Sequence, residues 1–284
     1  MKKRSILLSF ILSLFLVLLS SCKSGNVKGE VYKDAELYKA GNQEYAEFIK
    51  KLDVSWSMGK VTLVQDINLQ TIVIEEDSDL DDEHKVHTYL NNGTLFVKFW
   101  GSGVQGLVLG TDKHVTIKYP SAVDLIDIVV TSGTLEADYI ASRKIDIVRT
   151  SGTTKIKKIE TDELLFTQTS GKTTIQEIVS EDIQMHSTSG GVVINKIDCE
   201  TFDLVYTSGG INITFNTVLK ADIDGTSGSQ TITIPESGAT IHYHVTNGSF
   251  KCNLAGREED HTFVIGDGNA KINLSVTSGN IIIK

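Results

Sequence analysis

The chain has 284 residues, a formal net charge of −9, 24 glycines, two prolines and three cysteines. Such an acidic chain, with no basic cluster, is not expected to bind nucleic acid or to dock electrostatically on an anionic membrane. The many glycines favour a β-protein with tight turns, and the few cysteines argue against a disulfide framework or a zinc-binding Cys-x-x-Cys pair.

The first 21 residues have the composition of a secretory signal. A positive start precedes a short apolar run from Ile6 to Leu19, and small residues precede Cys22. This run of about 14 residues is shorter than the roughly 20 that span a bilayer. The Leu-Ser-Ser-Cys sequence resembles the bacterial lipoprotein signal, in which the cysteine is acylated and becomes the new N-terminus.

We therefore expect residues 1–21 to be removed and Cys22 to carry a lipid that holds the protein on the cell membrane. The protein would be exported and would face outward from the cytoplasm, with 24 basic and 36 acidic residues remaining. The alternatives are an ordinary cleaved signal with a coincidental cysteine, and an uncleaved anchor.

Residues 22–30 are small and polar and predict a tether behind the lipidated cysteine. Residues 31–125 predict an N-terminal cap, in which a short helix around residues 43–51 is followed by irregular β coils. Strand patterns begin at Asp53, and the sequence Trp-Ser-Met-Gly at residues 56–59 looks like a degenerate form of the Thr-Ser-Gly corner that repeats further along the chain.

A Thr-Ser-Gly triplet returns every 19 residues in the second half of the chain. Its glycines are Gly133, Gly152, Gly171, Gly190, Gly209 and Gly228. Apolar residues alternate with polar ones before each triplet, and an isoleucine column follows it, so each unit reads as strand, corner, strand, polar corner. A strand-only repeat of this period predicts a parallel β-solenoid over residues 126–284, with coils of about 19 residues.

The triplet is interpreted as a structural corner, where glycine supplies a positive φ and the Thr and Ser hydroxyls bond the turn backbone. The alternative is a hydroxyl ladder that contacts a ligand. Parallel crossovers are almost always right-handed, and 19 is not a multiple of the six residues used by left-handed β-helices, so we expect a right-handed β-helix. The last strand, ending at Lys284, is expected to pair on the open end of the stack.

Four stretches, KLDVSWSMGKVTLV, IVIEED, YLNNGTLFVKF and VTIKYP, precede this train of triplets. Together they resemble the bacterial putative-adhesin family known as domain of unknown function 4097, over residues 38–284. The resemblance implies a β-solenoid exported to the cell surface. It implies no enzyme activity, no cofactor and no catalytic residue.

Carboxylates are the strongest candidates for chemistry. The repeat stacks Asp127 on Asp146 and Asp203 on Asp222, with Asp224 on the same outward face. Stacked carboxylates repel one another, so a shared cation such as calcium or a raised pKa is one interpretation. The other is a solvated acidic stripe that keeps the protein soluble.

Three further groups carry weaker signals. The acidic run at residues 75–83 lacks the spacing of an EF-hand and predicts a solvated loop or a loose cation site. His242 and His244 have a metal-binding spacing without a third ligand, so we predict no metal site. Cys199 is placed in a corner and Cys252 in the inward column, which predicts two free thiols, one of them buried.

The sequence therefore favours a non-catalytic adhesin or surface binding and scaffold module. Its expected partners are the membrane, through Cys22, and a cell-wall polysaccharide or surface protein. One alternative is a polysaccharide-active β-helix enzyme centred on the aspartate stripe. Another is an envelope-stress or regulatory accessory lipoprotein.

Overall fold

The computed structural model describes residues 30–104, 113–120 and 123–284. The signal, Cys22 and most of the tether lie outside the described residues. Within these ranges the chain is all-β apart from a 3-10 turn at Ala35–Leu37, and no helix is long and apolar enough to cross a membrane. The strands are β1 (Lys39–Ala40), β2 (Gln43–Tyr45), β3 (Lys51–Trp56), β4 (Lys60–Gln65), β5 (Ile72–Asp77), β6 (His87–Asn91), β7 (Thr94–Lys98), β8 (His114–Tyr119), β9 (Leu125–Ala141), β10 (Lys144–Gln168), β11 (Lys172–Ser187), β12 (Gly191–Tyr206), β13 (Gly210–Thr217), β14 (Lys220–Thr233), β15 (Gly238–Cys252), β16 (Arg257–Glu259), β17 (Thr262–Gly266) and β18 (Ala270–Ile283).

The repeat region forms the solenoid-like stack expected from its periodicity. Strands β9 to β14 pair in parallel, and one inward column runs through Ile156, Ile175, Ile194, Ile213 and Ile232, each residue paired with the one 19 positions later. All five side chains are buried. Burying an isoleucine is worth about 1.5–3 kcal/mol, so the stacked columns supply the core that a single unit lacks. We call the extended segment before each Thr-Ser-Gly corner the first arm, and the extended segment after it the second arm. Some of the strands named above, such as β9, contain both arms.

The corners stack as closely as the arms. Gly152 has φ +101°, and a Cβ there would lie 2.0 Å from the carbonyl oxygen of Gly133. Gly133 meets Gly59 in the same way at 2.1 Å, which confirms that residues 56–59 form a corner of the same kind. Serine hydroxyls bond the corner below, as Ser170 Oγ does by donating to Thr150 O at 3.2 Å. These contacts support the structural interpretation of the triplet.

The N-terminal cap is built out of chain order. Strands β3 and β4 lie between β7 and β8 on one side and β9 on the other, all in parallel. Beyond them β6 pairs antiparallel with β7, and β5 pairs antiparallel with β8. The short strands β1 and β2 pair with the outer edges of β6 and β5. The helix expected at residues 43–51 is wrong, because Tyr45 pairs with Ile72 across strands and points into the core.

The C-terminal end is also interleaved. Strand β18 pairs in parallel with β14 on one side and with β15 on the other. The expectation that the last strand pairs on the open end is therefore wrong. Its inward residues Leu274, Val276 and Ile281 are fully buried, whereas Val245 and Phe250 of β15 are partly exposed, so the more apolar strand takes the interior position.

The two thiols that the structure describes are free, as predicted, and their register is also as predicted, since Cys252 pairs with the inward Ile283 and Cys199 with Ser180 of a polar corner. The prediction of which thiol is buried is wrong. Cys199 is buried and Cys252 is partly exposed. Burial raises the pKa of the Cys199 thiol to about 12, so this thiol stays protonated and unreactive at neutral pH.

Candidate functional site

The outward face of the first arms carries the aspartates singled out in the sequence. Asp53 pairs with Asp127, and Asp127 with Asp146, so three carboxylates stack on adjacent strands about 4.8 Å apart. Asp203 pairs with Asp222 in the same column further along. The predicted stacking of both pairs is confirmed. Leu165 and Gln184 occupy the column between them, so the stripe is interrupted.

Lysines that the sequence reasoning missed lie against this stripe. Lys51 Nζ lies 2.5 Å from Asp127 Oδ2 and 3.2 Å from Asp53 Oδ2. Lys220 forms an ion pair with Asp222 in the second acidic pair. Each lysine comes two residues before an aspartate on the same strand and therefore faces the same side, a Lys-x-Asp signal that strand periodicity could have revealed.

Polar neighbours engage the aspartates at the far end of the stripe. Asn273 Nδ2 donates to Asp222 Oδ1 at 2.6 Å, and Ser275 Oγ donates to Asp224 Oδ1 at 2.7 Å. Both donors lie on β18, which the interleaved C-terminus places beside β14. The carboxylates of Asp222 and Asp224 therefore already accept hydrogen bonds from a neighbouring strand.

Asp146 has a strongly perturbed carboxyl group. Partial burial, followed by the negative charge of Asp127, raises its pKa to about 6. The neighbouring Lys144 and Lys51 oppose this rise without cancelling it. A carboxyl group of this pKa exchanges a proton near neutral pH, beside an aspartate that forms an ion pair with Lys51.

Arg149, which lies close to the stripe in sequence, points the other way. Its side chain is 1% exposed and lies inside the stack, where Nη1 donates to Thr154 Oγ1 at 2.6 Å. Beside it Gln168 accepts from Thr173 Oγ1 and donates to Ser187 Oγ. A polar seam therefore runs beneath the Thr-Ser-Gly corners, and it cannot contact an external ligand.

The weaker candidates are dispersed. Among the residues in the three described ranges, no three His, Cys, Asp or Glu side chains gather as a metal site. His242 instead shares a hydrogen bond with Thr262 at 2.9 Å. Within the acidic run, Glu76 is not solvated as expected, because its carboxylate is buried in an ion pair with Lys113 at 2.9 Å. A cation on the aspartate stripe stays a prediction.

The column of Asp53 continues into the cap as a row of aromatic rings. Asp53 pairs with Phe96 on β7, and Phe96 pairs with Tyr89 on β6. The rings of Tyr89 and Tyr38 are 5.2 Å apart between centroids, and those of Tyr38 and Tyr32 are 4.4 Å apart. Sequence reasoning missed this row, because the antiparallel cap strands that assemble it do not follow the 19-residue period.

Comparison with known proteins places this architecture in a family. The sequence profile of Toastrack DUF4097 matches residues 49–284. The chain belongs to the Toastrack DUF4097 family. This membership bears out the resemblance noted in the sequence, and the family fold is a β-solenoid-like stack. No curated protein matches the chain.

Two solved structures share the fold at low sequence identity. A protein from Parabacteroides merdae, described as a putative adhesin, is 14% identical with a TM-score of 0.55, covering 87% of this chain and 96% of that one. A protein from Parabacteroides distasonis, described as a putative lipid binding protein, is 13% identical with a TM-score of 0.52, covering 87% of this chain and 97% of that one. At such identities the likeness shows the fold alone.

Proposed function

We propose that the protein is an exported, non-catalytic binding or scaffold module, held on the membrane by a lipid on Cys22 and facing outward from the cytoplasm. The observation that carries this proposal is the outward face of the first arms. There partly exposed aromatic and acidic side chains form a column from the cap strands to the first repeat strands, and Lys51 lies beside it. The Parabacteroides neighbours described as a putative adhesin and a putative lipid binding protein support a binding role.

The same proposal includes the finer architecture. Residues 22–30 form the tether, residues 31–125 the cap, and residues 126–284 a right-handed stack of coils of about 19 residues. The 19-residue offsets between paired strands support the coil length. The handedness is supported by the strong preference of parallel crossovers for the right-handed form.

An enzyme acting on polysaccharide is the alternative, and one observation favours it. Asp146, with its raised pKa, lies next to Asp127, which is paired with Lys51, and enzymes that use one carboxyl group as acid and another as base place two carboxyl groups in different surroundings in this way. Against this, a cavity of about 390 Å³ in the described structure is lined by Phe48, Ile67 and Pro120, away from both carboxylates. We therefore favour binding without catalysis.

Binding is tested with purified residues 23–284, a fragment that contains every described residue. The protein is mixed with insoluble cell-wall and polysaccharide preparations, with and without a chelator, and its depletion from the supernatant is measured. The supernatants are also assayed for released sugar ends. Retention without release supports the proposal, and loss of retention on chelation would assign a cation to the aspartate stripe. Release that Asp146→Asn abolishes would establish the enzyme instead, and neither retention nor release would favour a protein partner.

Anchoring is tested separately in cells that express the full chain. Wild type and Cys22→Ser are compared by incorporation of an alkyne-labelled fatty acid and by partition into the detergent phase. We expect label and detergent partition for wild type and neither for the variant. Equal labelling of both would place the lipid elsewhere, and no label on either would contradict the lipoprotein proposal.

A further inference from the structure

The aromatic row on the outward face of the cap lies where the core does not require it. Phe96 alternates with Leu95 and Val97, which point inward and are fully buried. Tyr89 and Tyr38 are likewise partly exposed. Aromatic side chains exposed in a contiguous row mark a binding surface more often than a packing need.

The rings are held in place before any ligand arrives. Tyr32 donates its hydroxyl to the carbonyl oxygen of Trp100 at 3.1 Å, and its backbone N–H donates to Ser102 Oγ at 3.1 Å. Tyr38 lies between Tyr32 and Tyr89, with both ring pairs tilted by 46°. Rigid rings lose little conformational entropy on binding, which favours affinity.

Hydrogen-bonding groups adjoin the row directly. Phe96 is followed in the column by Asp53, and Lys51 bridges Asp53 and Asp127. These three side chains are between one quarter and one third exposed. The surface therefore offers partly exposed aromatic rings at one end, and two carboxylates and an ammonium group at the other.

We infer that this aromatic strip, Tyr32, Tyr38, Tyr89 and Phe96 with Lys51, Asp53 and Asp127, binds a saccharide chain. The C–H faces of a sugar ring stack on aromatic rings. Sugar hydroxyls donate to the carboxylates of Asp53 and Asp127 and accept from the ammonium group of Lys51. Binding sites of this kind combine an apolar platform with a few polar groups that fix orientation. This inference rests on the proposed binding function and names its ligand class.

A cation or basic peptide would also use aromatic rings and carboxylates, but the geometry disfavours it. Cations are bound best by aromatic residues that surround the charge on several sides, as in aromatic cages. Tyr32, Tyr38 and Tyr89 instead contact each other in a row. The ammonium group of Lys51 already lies between Asp53 and Asp127. Its positive charge offsets the negative charge of these carboxylates and weakens their attraction for a cation.

The test compares variants of residues 23–284 by affinity electrophoresis and titration calorimetry. The probes are soluble β-glucan, soluble α-mannan and enzymatically solubilised peptidoglycan, with polylysine as the cationic probe. The double variant Tyr38→Ala/Tyr89→Ala removes the middle of the strip. Tyr139→Ala is the matched control, because Tyr139 is a partly exposed tyrosine on a second arm, bonded to Glu160 at 3.0 Å. Circular dichroism and Tm establish that each variant folds.

We expect at least one saccharide probe to bind wild type, with Kd raised tenfold or more in the double variant and about threefold by Asp53→Asn. Tyr139→Ala should bind like wild type. The inference is overturned if the double variant binds saccharide normally, if no saccharide probe binds wild type, or if the strip binds polylysine alone. The insoluble-wall assay separates the two proposals. Wild type and double variant retained equally would reject the strip and leave the binding function standing, whereas no retention of wild type would reject binding to the cell wall and favour a protein partner.

Discussion

Gly152 is stacked on Gly133 so closely that a Cβ at Gly152 would lie 2.0 Å from the Gly133 carbonyl oxygen. The backbone of Gly152 also has φ +101°, which L side chains rarely adopt. The backbone strain alone costs about 1–3 kcal/mol, and neither backbone atom in the clash can move without separating two coils. We therefore expect Gly152→Ala to lower the free energy of unfolding by at least about 3 kcal/mol, measured by urea denaturation.

The control for this prediction is Gly210→Ala. A Cβ at Gly210 has no atom within 4 Å, and its φ is not positive. We expect a change within about 1 kcal/mol, because a surface substitution without strain is close to neutral. Similar losses for the two variants would contradict the tight stacking of the corners.

The interleaved C-terminus gives a second prediction, from two valines that are register partners. Val276 of β18 is 1% exposed, whereas Val245 of β15 is partly exposed at the end of the stack. Val276→Ala should cost about 2–3 kcal/mol, because it leaves a cavity between two coils, and Val245→Ala about 1 kcal/mol or less. Urea denaturation of both variants checks the order. A larger loss for Val245→Ala would place β15, and not β18, in the interior.

The regular part of this fold could be predicted because each corner requires a glycine at a fixed position in the sequence. Gly133, Gly152 and the glycines after them are needed wherever the chain turns with positive φ above another turn. Their spacing therefore records the register directly. At both ends the glycine spacing does not predict the strand order. There β3 lies beside β9, and β18 lies between β14 and β15, so strands that are distant in the chain become neighbours.

The part of the candidate site that lies in the regular repeat was also predictable, whereas the part formed by the cap was not. The stacking of Asp127 on Asp146 follows from the 19-residue offset of their strands. The contact of Lys51 with Asp127 does not, because β3 reaches β9 only through the rearranged cap. Tyr38 and Tyr89 meet through antiparallel pairing near β1 and β6, for which a parallel repeat carries no signal.

The buried Arg149 gives a third prediction. Its Nε and Nη2 atoms have no hydrogen-bond partner among the described residues, and burial lowers the pKa of its guanidinium to about 10. A buried charge without a carboxylate costs more than an apolar side chain of similar volume. We expect Arg149→Met to raise the free energy of unfolding by about 1–3 kcal/mol, seen as a higher urea midpoint.

Arg143→Met is the control for Arg149→Met, since Arg143 is exposed and its substitution should change stability by less than about 0.5 kcal/mol. A destabilised Arg149→Met would oppose the prediction. It would mean that the guanidinium makes favourable interactions inside the stack that outweigh the cost of its burial.

The raised pKa of Asp146, about 6 in the folded protein against 3.8 ordinarily, predicts a pH dependence of stability. The folded state binds this proton more tightly than the unfolded state does, so stability falls as pH rises from about 4 to about 6 and stays low above that. The loss is on the order of 1–2 kcal/mol, allowing for the partial exposure of the carboxyl group. Asp146→Asn should remove this loss and be the more stable protein at pH 8.

Urea midpoints of wild type and Asp146→Asn at pH 5 and pH 8 measure this effect. The control is Asp138→Asn, because the side chain of Asp138 is 82% exposed and forms an ion pair with Lys157. We expect Asp138→Asn to keep the wild-type difference between the two pH values and Asp146→Asn to reduce it. If Asp146→Asn keeps the full difference, another group titrates. If it is less stable than wild type at pH 8, the ionised carboxylate stabilises the fold, contrary to its burial beside Asp127.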